Sequence, residues 1–345
     1  MDTPIFHPHY QISPHLLNHI KQITLLVHEL NKRVWSDVVL AQFQAKAELI
    51  STYASTSIEG NPLPLTEVKR LLKNQPEQVR QSEREVLNYN EALVALRGEW
   101  ERPLTPDLLL KIHQQVTTGL LPDHQSGQFR REPVIIHNPS TREVIYLPPD
   151  HEDVAPLVAG LLAFVAANRS LLDPVVLAGL FHKQLVIIHP FVDGNGRTTR
   201  LATKLLLAGL GVDTFNLFSF ENFYNQNVSR YFQQVGVFGN YYDIVDNLDF
   251  TPWLEYFAGG ILDELQRVEK GLERHQASPD NTLQDHHQLI LDYIDRHGFI
   301  TDKNYAALTD RAKATRTLDF NKLIELGLII RQGKGRSTHY RRVDT

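Results

Sequence analysis

Residues 186–200 read Val-Ile-Ile-His-Pro-Phe-Val-Asp-Gly-Asn-Gly-Arg-Thr-Thr-Arg, and they predict the end of one helix, a glycine turn and the start of another. The first helix should end at His189, because the residue before a proline is disfavoured in the helical region. Gly194 and Gly196 flank Asn195, and glycine permits positive φ and close approach of the backbone to a ligand. The turn therefore places the N-terminus of the second helix where a ligand can reach it.

The side chains around this turn are suited to binding an anion and moving a proton. Free N–H groups and the helix dipole favour an anion at such a helix start. Arg197 and Arg200 lie in the first turn, where cations are unfavourable unless a ligand supplies negative charge. Asp193 is a hard oxygen ligand suited to Mg²⁺ on phosphates, and His189 could take a proton from a hydroxyl. A helix cap and ordinary salt bridges would explain each residue singly, but not the whole run.

Residues 189–200 resemble the active-site signature of the Fic family, His-Pro-Phe-x-[Asp/Glu]-Gly-Asn-Gly-Arg-x-x-Arg, with every signature position filled. The resemblance implies a mostly α-helical bundle with a small β-hairpin flap. It implies an enzyme that moves AMP from ATP to a Ser, Thr or Tyr hydroxyl of a protein and releases pyrophosphate. His189 would be the general base and Asp193 the Mg²⁺ ligand. The motif residues implied to contact ATP are Gly194, Asn195, Gly196, Arg197, Thr198, Thr199 and Arg200.

Two other sets of residues are candidates for nucleotide contact. Val186, Ile187 and Ile188 end the helix before the motif, where they either line the nucleotide pocket or form helix core. Residues 227–232 resemble the family's Asn-Arg-x-x-Tyr-Tyr helix, although Val228 and Phe232 depart from that pattern. The resemblance implies that Asn227 contacts the nucleotide.

Residues 55–60, Ser-Thr-Ser-Ile-Glu-Gly, resemble the [Ser/Thr]-x-x-x-Glu-[Gly/Asn] inhibitory motif of Fic proteins that carry it at the N-terminus. Ser55 and Glu59 are four residues apart, on one helical face. The implied mechanism is a salt bridge from Glu59 to Arg200 within the ATP site, which leaves ATP in a non-productive pose. The alternative is that Glu59 is a solvated residue at a helix end.

Periodic apolar residues predict helices along most of the chain, and two β-rich runs interrupt them. Residues 133–137 and 143–147 predict a lone hairpin, which is either a surface decoration or, by the resemblance, the flap that holds the target protein. The predicted helices before residue 276 are 14–34, 37–59, 64–73, 78–98, 105–118, 153–168, 174–188, 197–209, 221–236 and 251–275.

The C-terminal segment follows another pattern, with helices over 286–296, 303–308 and 311–326 and then two short strands, which predicts a winged helix-turn-helix. We therefore divide the chain into N-terminal helices (1–110), a catalytic core (111–275) and a winged-helix-like domain (281–345), with a linker near 276–282. Residues 311–342 contain nine lysines and arginines against two acidic residues, in a chain of net charge −5. Such a basic segment fits DNA or a protein as its partner.

The 345 residues include no cysteine, which excludes a thiol nucleophile, a disulfide framework and a Cys-ligated zinc. No signal peptide and no apolar stretch of about 18 residues are found, so we expect a cytoplasmic protein with no membrane partner. The sequence leaves three alternatives open. The same site could remove AMP or transfer another phosphoryl-containing group, the chain could be a DNA-binding regulator with a nucleotide-sensing Fic-like domain, and it could form a homodimer.

Overall fold

The computed structural model describes residues 6–33, 35, 37–76, 78–99, 102–137, 141–212, 214–276, 283–333 and 335–343. Its helices are α1 (Pro14–Lys32), α2 (Asp37–Ile58), α3 (Leu65–Asn74), α4 (Gln81–Ala95), α5 (Pro106–Thr117), α6 (His151–Asn168), α7 (Pro174–Ile188), α8 (Asn195–Gly209), α9 (Phe220–Gln226), α10 (Val228–Val235), α11 (Tyr241–Ile244), α12 (Thr251–Gln276), α13 (Asp285–His297), α14 (Asp302–Ala306) and α15 (Lys313–Glu325). The strands are β1 (Ile136–His137), β2 (Val144–Leu147), β3 (Gly239–Asn240), β4 (Ile329–Gln332) and β5 (His339–Arg342). The predicted mostly helical architecture is confirmed.

The predicted single helix over 221–236 is wrong, because the chain breaks at Asn227 into α9 and α10. Asn227 leaves the helical region with φ −147° and ψ 78°. Its side-chain oxygen accepts a hydrogen bond from the Arg230 N–H at 3.0 Å, and so caps α10.

Several helices begin where a short polar side chain precedes a proline. Ser13, Thr105 and Asp173 each accept a hydrogen bond from a backbone N–H of the first turn, and α1, α5 and α7 follow them with proline near the start. The side chain satisfies an N–H that lacks an intrahelical partner, and proline lacks one N–H there from the outset. The cap at Asp173 fixes the start of α7, the helix that leads to the motif.

The helix α7 is the centre of the molecule and packs against α6, α8 and α12. It is apolar on all sides, and nearly all of its residues are buried. At Gly179 the helices α7 and α12 approach closely, because a Cβ there would lie 2.7 Å from the Leu254 Cδ2. The Trp253 indole N–H donates to the Gly179 carbonyl at 2.7 Å across this contact. The motif residues follow directly at the end of this central helix.

The predicted hairpin is present but does not stand alone, so that part of the prediction is wrong. Strands β1 and β2 pair antiparallel, and β3 adds to β2 in parallel, with Tyr146 opposite Gly239. The chain after α10 returns beside β2 and supplies this third strand. The order β1-β2-β3 leaves β1 at the edge of the sheet. The turn residues 138–140 lie outside the described residues.

The C-terminal elements have their own apolar core. Helices α13, α14 and α15 precede the antiparallel pair β4–β5, which is the order that the sequence predicts. A backbone bridge joins Ile300 to Tyr340. The buried apolar residues include Ile290, Leu291, Ile294, Tyr305, Phe320 and Leu323. Most of the predicted linker, residues 277–282, lies outside the described residues.

The helices α1 to α12 share one large core, whose buried members extend from Leu16 to Leu272. The predicted division between residues 110 and 111 falls inside α5. Residues 1–110 and 111–275 therefore share one helix and pack around α7. The domain boundaries stay a prediction. Within the described part of the chain, no helix combines the length and the apolar character needed to cross a lipid bilayer.

Candidate functional site

The turn between α7 and α8 is closed by its own side chains. His189 ends α7 in the left-handed conformation, with φ 51°, and Gly194 precedes α8 with φ 81°. The Asn195 side chain accepts from the Phe191 N–H at 2.9 Å and donates to the Phe191 carbonyl at 2.8 Å. The side-chain amide of Asn195 therefore closes the turn, and its backbone N–H is the donor that it retains for an anion.

His113 of α5 supports this turn from below. Its ring stacks on Phe191 with centroids 3.7 Å apart. The Nδ1 atom accepts from the Gly127 N–H at 2.9 Å, so the neutral ring donates from Nε2 to the Asp193 carbonyl, also at 2.9 Å. Burial lowers the pKa of His113 to about 4. Sequence reasoning missed His113, because nothing in the periodicity of its helix distinguishes it from a core residue.

Close packing also fixes the residue type at position 194. A Cβ on Gly194 would lie 2.9 Å from the Cγ2 of Thr117, and the φ of 81° disfavours a side chain independently. Tertiary contacts therefore require the motif glycine at position 194.

His189 is partly exposed beside the turn and is held neutral. Burial lowers the pKa of His189 to about 4, and a hydrogen bond to the Val186 carbonyl acts in the opposite direction. A neutral imidazole has one N–H, and using it toward a carbonyl leaves the other nitrogen with a free lone pair. His189 is therefore prepared to accept a proton.

Arg200 lies fully buried under the start of α8 and is held by the end of α2. Its Nε donates to the Ser55 hydroxyl at 2.7 Å, and its Nη2 donates to the Ser55 carbonyl at 2.8 Å. Nη2 also pairs with the Glu59 carboxylate at 2.7 Å. The Nη1 atom is buried and has no partner among the described residues. The salt bridge that the resemblance implies between Glu59 and Arg200 is thus present.

The Glu59 carboxylate lies directly over the first turn of α8. A Cβ built on Gly196 would come within 2.1 Å of the Glu59 Oε1. The first backbone N–H groups of a helix have no intrahelical partner, so this is where an anion binds. An internal carboxylate therefore occupies the position expected for a phosphate.

Arg197 is also buried and is paired by two carboxylates. Its Nη1 lies 2.7 Å from Glu85 of α4, and its Nη2 lies 3.2 Å from Asp193. Glu85 accepts in addition from the Asn61 side chain at 2.7 Å. Sequence reasoning missed Glu85 and Asn61, since α4 bears no motif. Asn61 is the residue directly after the inhibitory sequence, and only this proximity marks it in the sequence.

The carboxylate of Asp193 is accessible to a ligand, because its side chain is 59% exposed. Its Oδ1 accepts from the Gly194 N–H at 2.6 Å. An exposed carboxylate beside a helix N-terminus is a suitable donor for a magnesium ion that also binds substrate phosphates.

The remaining predicted nucleotide contacts fall into two groups. Ile187, Ile188, Thr198 and Thr199 are buried within the helices, and Val186 is the partly exposed member of its run. The side-chain oxygen of Asn227 accepts the hydrogen bond that caps α10. The structure brings together Glu59, Arg200 and Gly196, with His189 across the turn. The nucleotide roles stay predictions.

The sheet next to the site carries exposed apolar residues. Ile135 and Val144 are about half exposed on the two runs. The Tyr146 hydroxyl donates to the Ile187 carbonyl at 2.9 Å and so ties β2 to the end of α7. The edge strand β1 thus lies near the motif, as strand addition by a target segment requires.

Comparisons with known proteins cover the region that contains this turn. Residues 103–207 match the model of the Fic/DOC family. The chain is a Fic domain protein. The protein adenylyltransferase Fic of Culex quinquefasciatus is 30% identical over 182 residues, which are 51% of this chain and 35% of that protein. The Drosophila virilis protein of the same name is 30% identical over 191 residues, 54% of this chain and 36% of its own length.

The chain spans about a third of the length of these curated relatives. A solved Fic family protein from Desulfovibrio desulfuricans G20 has a TM-score of 0.65 at 21% identity, with 99% of both chains covered. A Fic domain containing signaling protein from Bacteroides thetaiotaomicron has a TM-score of 0.62 at 22% identity, covering 74% of this chain and 97% of that one. These two likenesses show the fold. The residues 103–207 that match the family model include the turn described above.

Proposed function

We propose that this Fic domain protein transfers AMP from ATP to a hydroxyl group of a protein and that Glu59 restrains the reaction. The observation that carries the proposal is the Glu59 carboxylate, which lies over Gly196 and pairs with the buried Arg200 beside a neutral His189. An anion site and a free base are the parts that such a transferase needs, and an internal carboxylate that competes for the anion site would restrain it. The similarity to proteins named adenylyltransferase supports the same reaction.

In the proposed reaction, the lone pair of His189 takes the proton of a Ser, Thr or Tyr hydroxyl. The hydroxyl oxygen attacks the α-phosphorus of ATP, the bond from that phosphorus to the bridging oxygen breaks, and pyrophosphate leaves. The N-terminus of α8 and the guanidinium groups of Arg197 and Arg200 stabilise the negative charge on the phosphates. The other residues proposed to form the ATP site are Val186, Ile187, Ile188, Gly194, Asn195, Gly196, Thr198, Thr199 and Asn227.

Asp193 would hold the magnesium ion that accompanies ATP. Its exposed carboxylate fits, because magnesium is usually bound through one or two carboxylates together with substrate phosphates. When bound, the ion neutralises part of the phosphate charge. The target protein would lie along residues 133–147, where β1 offers an edge to an extended segment.

The restraint by Glu59 follows from competition for one guanidinium. Arg200 is fully buried, and a buried charge-assisted contact is stronger than an exposed pair. ATP must displace the Glu59 carboxylate before the terminal phosphate can reach Arg200. Most encounters with ATP would therefore leave it misplaced for transfer.

The test is the rate at which the protein incorporates α-labelled AMP into itself. Glu59→Gly removes the carboxylate and should raise the rate, although no catalytic group is added. Arg200→Ala in that background should cancel the gain, and His189→Ala should abolish transfer, by roughly 10²–10⁴-fold or more. Glu29→Gly, at an exposed glutamate near the end of α1, is the matched control and should change nothing. Equal rates for wild type and Glu59→Gly would reject the restraint.

A comparison of labels separates AMP transfer from other phosphoryl transfer. Incorporation of γ-label instead of α-label would contradict the proposed reaction. Removal of AMP is a second candidate, favoured by the 28% exposed side chain of Glu59, which could orient a water molecule at the site. In that case AMP-modified protein should lose its label with the wild-type enzyme and keep it with Glu59→Gly.

A further inference from the structure

Arg130 joins the base of the flap to the end of α7. The residue is 4% exposed, and its guanidinium donates to three main-chain carbonyls. Nε donates to the His189 carbonyl at 2.9 Å, Nη2 to the Pro149 carbonyl at 2.5 Å and Nη1 to the Glu132 carbonyl at 3.3 Å. Glu132 precedes the flap (residues 133–147) and Pro149 follows it. One side chain therefore ties both ends of the flap to the backbone of His189.

Arg130 also holds the main-chain carbonyl of Pro190, the residue after His189. Its own N–H donates to the Pro190 carbonyl at 3.0 Å. His189 has φ 51°, in the left-handed region that residues other than glycine rarely adopt. Such a conformation persists when surrounding contacts over-determine it. The direction of the imidazole thus depends on contacts made by Arg130.

The partners of this guanidinium point to a geometric role. A buried cation is usually paired with a carboxylate. The side-chain hydrogen bonds of Arg130 within the described structure instead end on carbonyl oxygens from three segments. A planar fork of five donors can hold three such oxygens at fixed angles, whereas a lysine presents a single point charge.

We propose that Arg130 is a positioning residue that couples the flap to the general base. A target segment aligned on the flap then meets the His189 imidazole in one fixed mutual geometry. The expected effect on rate rests on the proposed AMP transfer. The coupling of the flap to His189 rests on the contacts of Arg130 alone. Arg131 is the matched control, because it is the neighbouring arginine and is exposed.

The experiment uses the full chain with Glu59→Gly as parent and adds Arg130→Met, Arg130→Lys, Arg131→Met or Arg131→Lys. The rate of α-labelled AMP incorporation, the affinity for ATP with Mg²⁺ and backbone hydrogen exchange are measured for each. Arg130→Met should lower the rate by about 10²-fold, the scale expected when a reacting group is misplaced by about 1 Å. Arg130→Lys should recover little of it. ATP affinity should be unchanged, and both Arg131 variants should match the parent.

Hydrogen exchange reads the coupling separately from activity. Faster exchange in the Arg130 variants should be confined to residues 133–147 and to the segment 186–193. A general loss of protection across α7 and α8 together with lost ATP affinity would show a merely structural residue and would overturn the inference, as would a parent-like rate in Arg130→Met. If the Glu59→Gly parent transfers no AMP, the proposed function is refuted. Hydrogen exchange would still test the coupling in that case, and exchange in the Arg130 variants equal to that of the parent would overturn the inference.

Discussion

Carboxylates from two helices outside the motif neutralise its arginines. Glu59 pairs with Arg200, and Glu85 pairs with Arg197 while it also accepts from Asn61. An unpaired buried guanidinium would cost the fold several kcal/mol, roughly the penalty for any buried ion. Internal carboxylates therefore pair with both buried guanidinium groups, which are the two that we propose to bind phosphate.

Glu85→Gln should destabilise the protein, because it leaves the buried Arg197 with Asp193 as its remaining carboxylate. We expect a loss of about 1–3 kcal/mol in the free energy of unfolding, the usual cost of an uncompensated buried polar group. Glu83→Gln on the same helix is the control, since Glu83 pairs with the exposed Arg80. Urea denaturation of both variants measures the difference. Equal midpoints would contradict a structural role for the Glu85 pair.

The neutral state of His189 predicts the pH dependence of transfer. The pKa of His189 is lowered to about 4, chiefly by burial. A general base works when it is deprotonated, so the rate should stay level as the pH falls through about 6.5, the ordinary pKa of histidine. It should decline only as the pH approaches the lowered pKa. Initial rates of the Glu59→Gly variant across this range measure it, and a half-maximal rate near pH 6.5 would contradict the burial of this base.

At the scale of the elements, α2 is held by a polar stripe. Glu48, Ser51 and Ser55 recur at steps of three and four residues and so share one face of α2, and Glu59, directly after its end, continues this spacing. Glu48 pairs with Arg97 at 2.6 Å, and the Ser51 hydroxyl donates to the buried Glu221 at 2.9 Å. Polar contacts depend on specific partners, unlike apolar packing. A charged ligand can therefore compete with the residues at the C-terminal end of α2 for the same polar partners. It could not displace a stripe of leucines in this way.

Ser55→Ala should weaken this attachment and raise AMP transfer, but by less than Glu59→Gly. The substitution removes the hydroxyl that accepts from Arg200 Nε, and leaves the Ser55 carbonyl and Glu59 in place. Ser57→Ala is the control, because Ser57 is a neighbouring serine of the same helix that is only partly buried. α-Labelled AMP incorporation measures both. A rate for Ser55→Ala equal to that of Ser57→Ala would argue against a contribution of the hydroxyl.

At the scale of the whole molecule, the C-terminal core contacts the rest of the chain through α2. Ala41 packs against that core, and a Cβ on Gly327 would lie 3.6 Å from the Ala41 carbonyl oxygen. A cavity of about 760 Å³ lies beside this contact, with Glu48 and Arg97 on one side and Asp295 and Arg342 on the other. The contact is therefore limited, and the large core contains no buried member beyond Leu272.

Removal of residues 281–345 should accordingly leave a folded protein. The truncated chain should keep its helical circular dichroism, a cooperative thermal transition and, with Glu59→Gly, incorporation of AMP into itself. Choice of target is the property that we expect to change. Circular dichroism and α-label incorporation test this against the full chain. Loss of the cooperative transition would show that the C-terminal segment is needed for the large core to fold.

The basic character of the C-terminal segment is lower than its composition indicates. Among the described side chains, Arg311 pairs with Asp319, Arg316 with Asp302 and Arg342 with Asp295, so these three cations form ion pairs within the C-terminal segment. Leu318, on the third helix, is 65% exposed. Fewer cations remain for phosphate contacts, which weakens the case for DNA as the partner and favours a protein.

The main helices and the turn between α7 and α8 can be predicted from the sequence, because they depend on short-range patterns. Proline after His189 ends α7, Gly194 precedes α8, and Glu59, four residues after Ser55, directly follows the end of α2. The break at Asn227 was missed because helical periodicity continues across it, while the capping bond to Arg230 is a local choice that periodicity does not encode.

The surroundings of the motif depend on contacts between distant segments of the chain. His113, Arg130 and Glu85 come from segments 59 to 112 residues away from their partners Asp193, His189 and Arg197, and no local pattern marks them. The third strand β3 likewise pairs with β2 across nearly a hundred residues of chain. Hydrogen bonds and ion pairs in a buried site depend on which side chains the fold brings within about 3 Å. That distance is set by the packing of α4, α5 and α7 around one core, and local sequence spacing does not determine it.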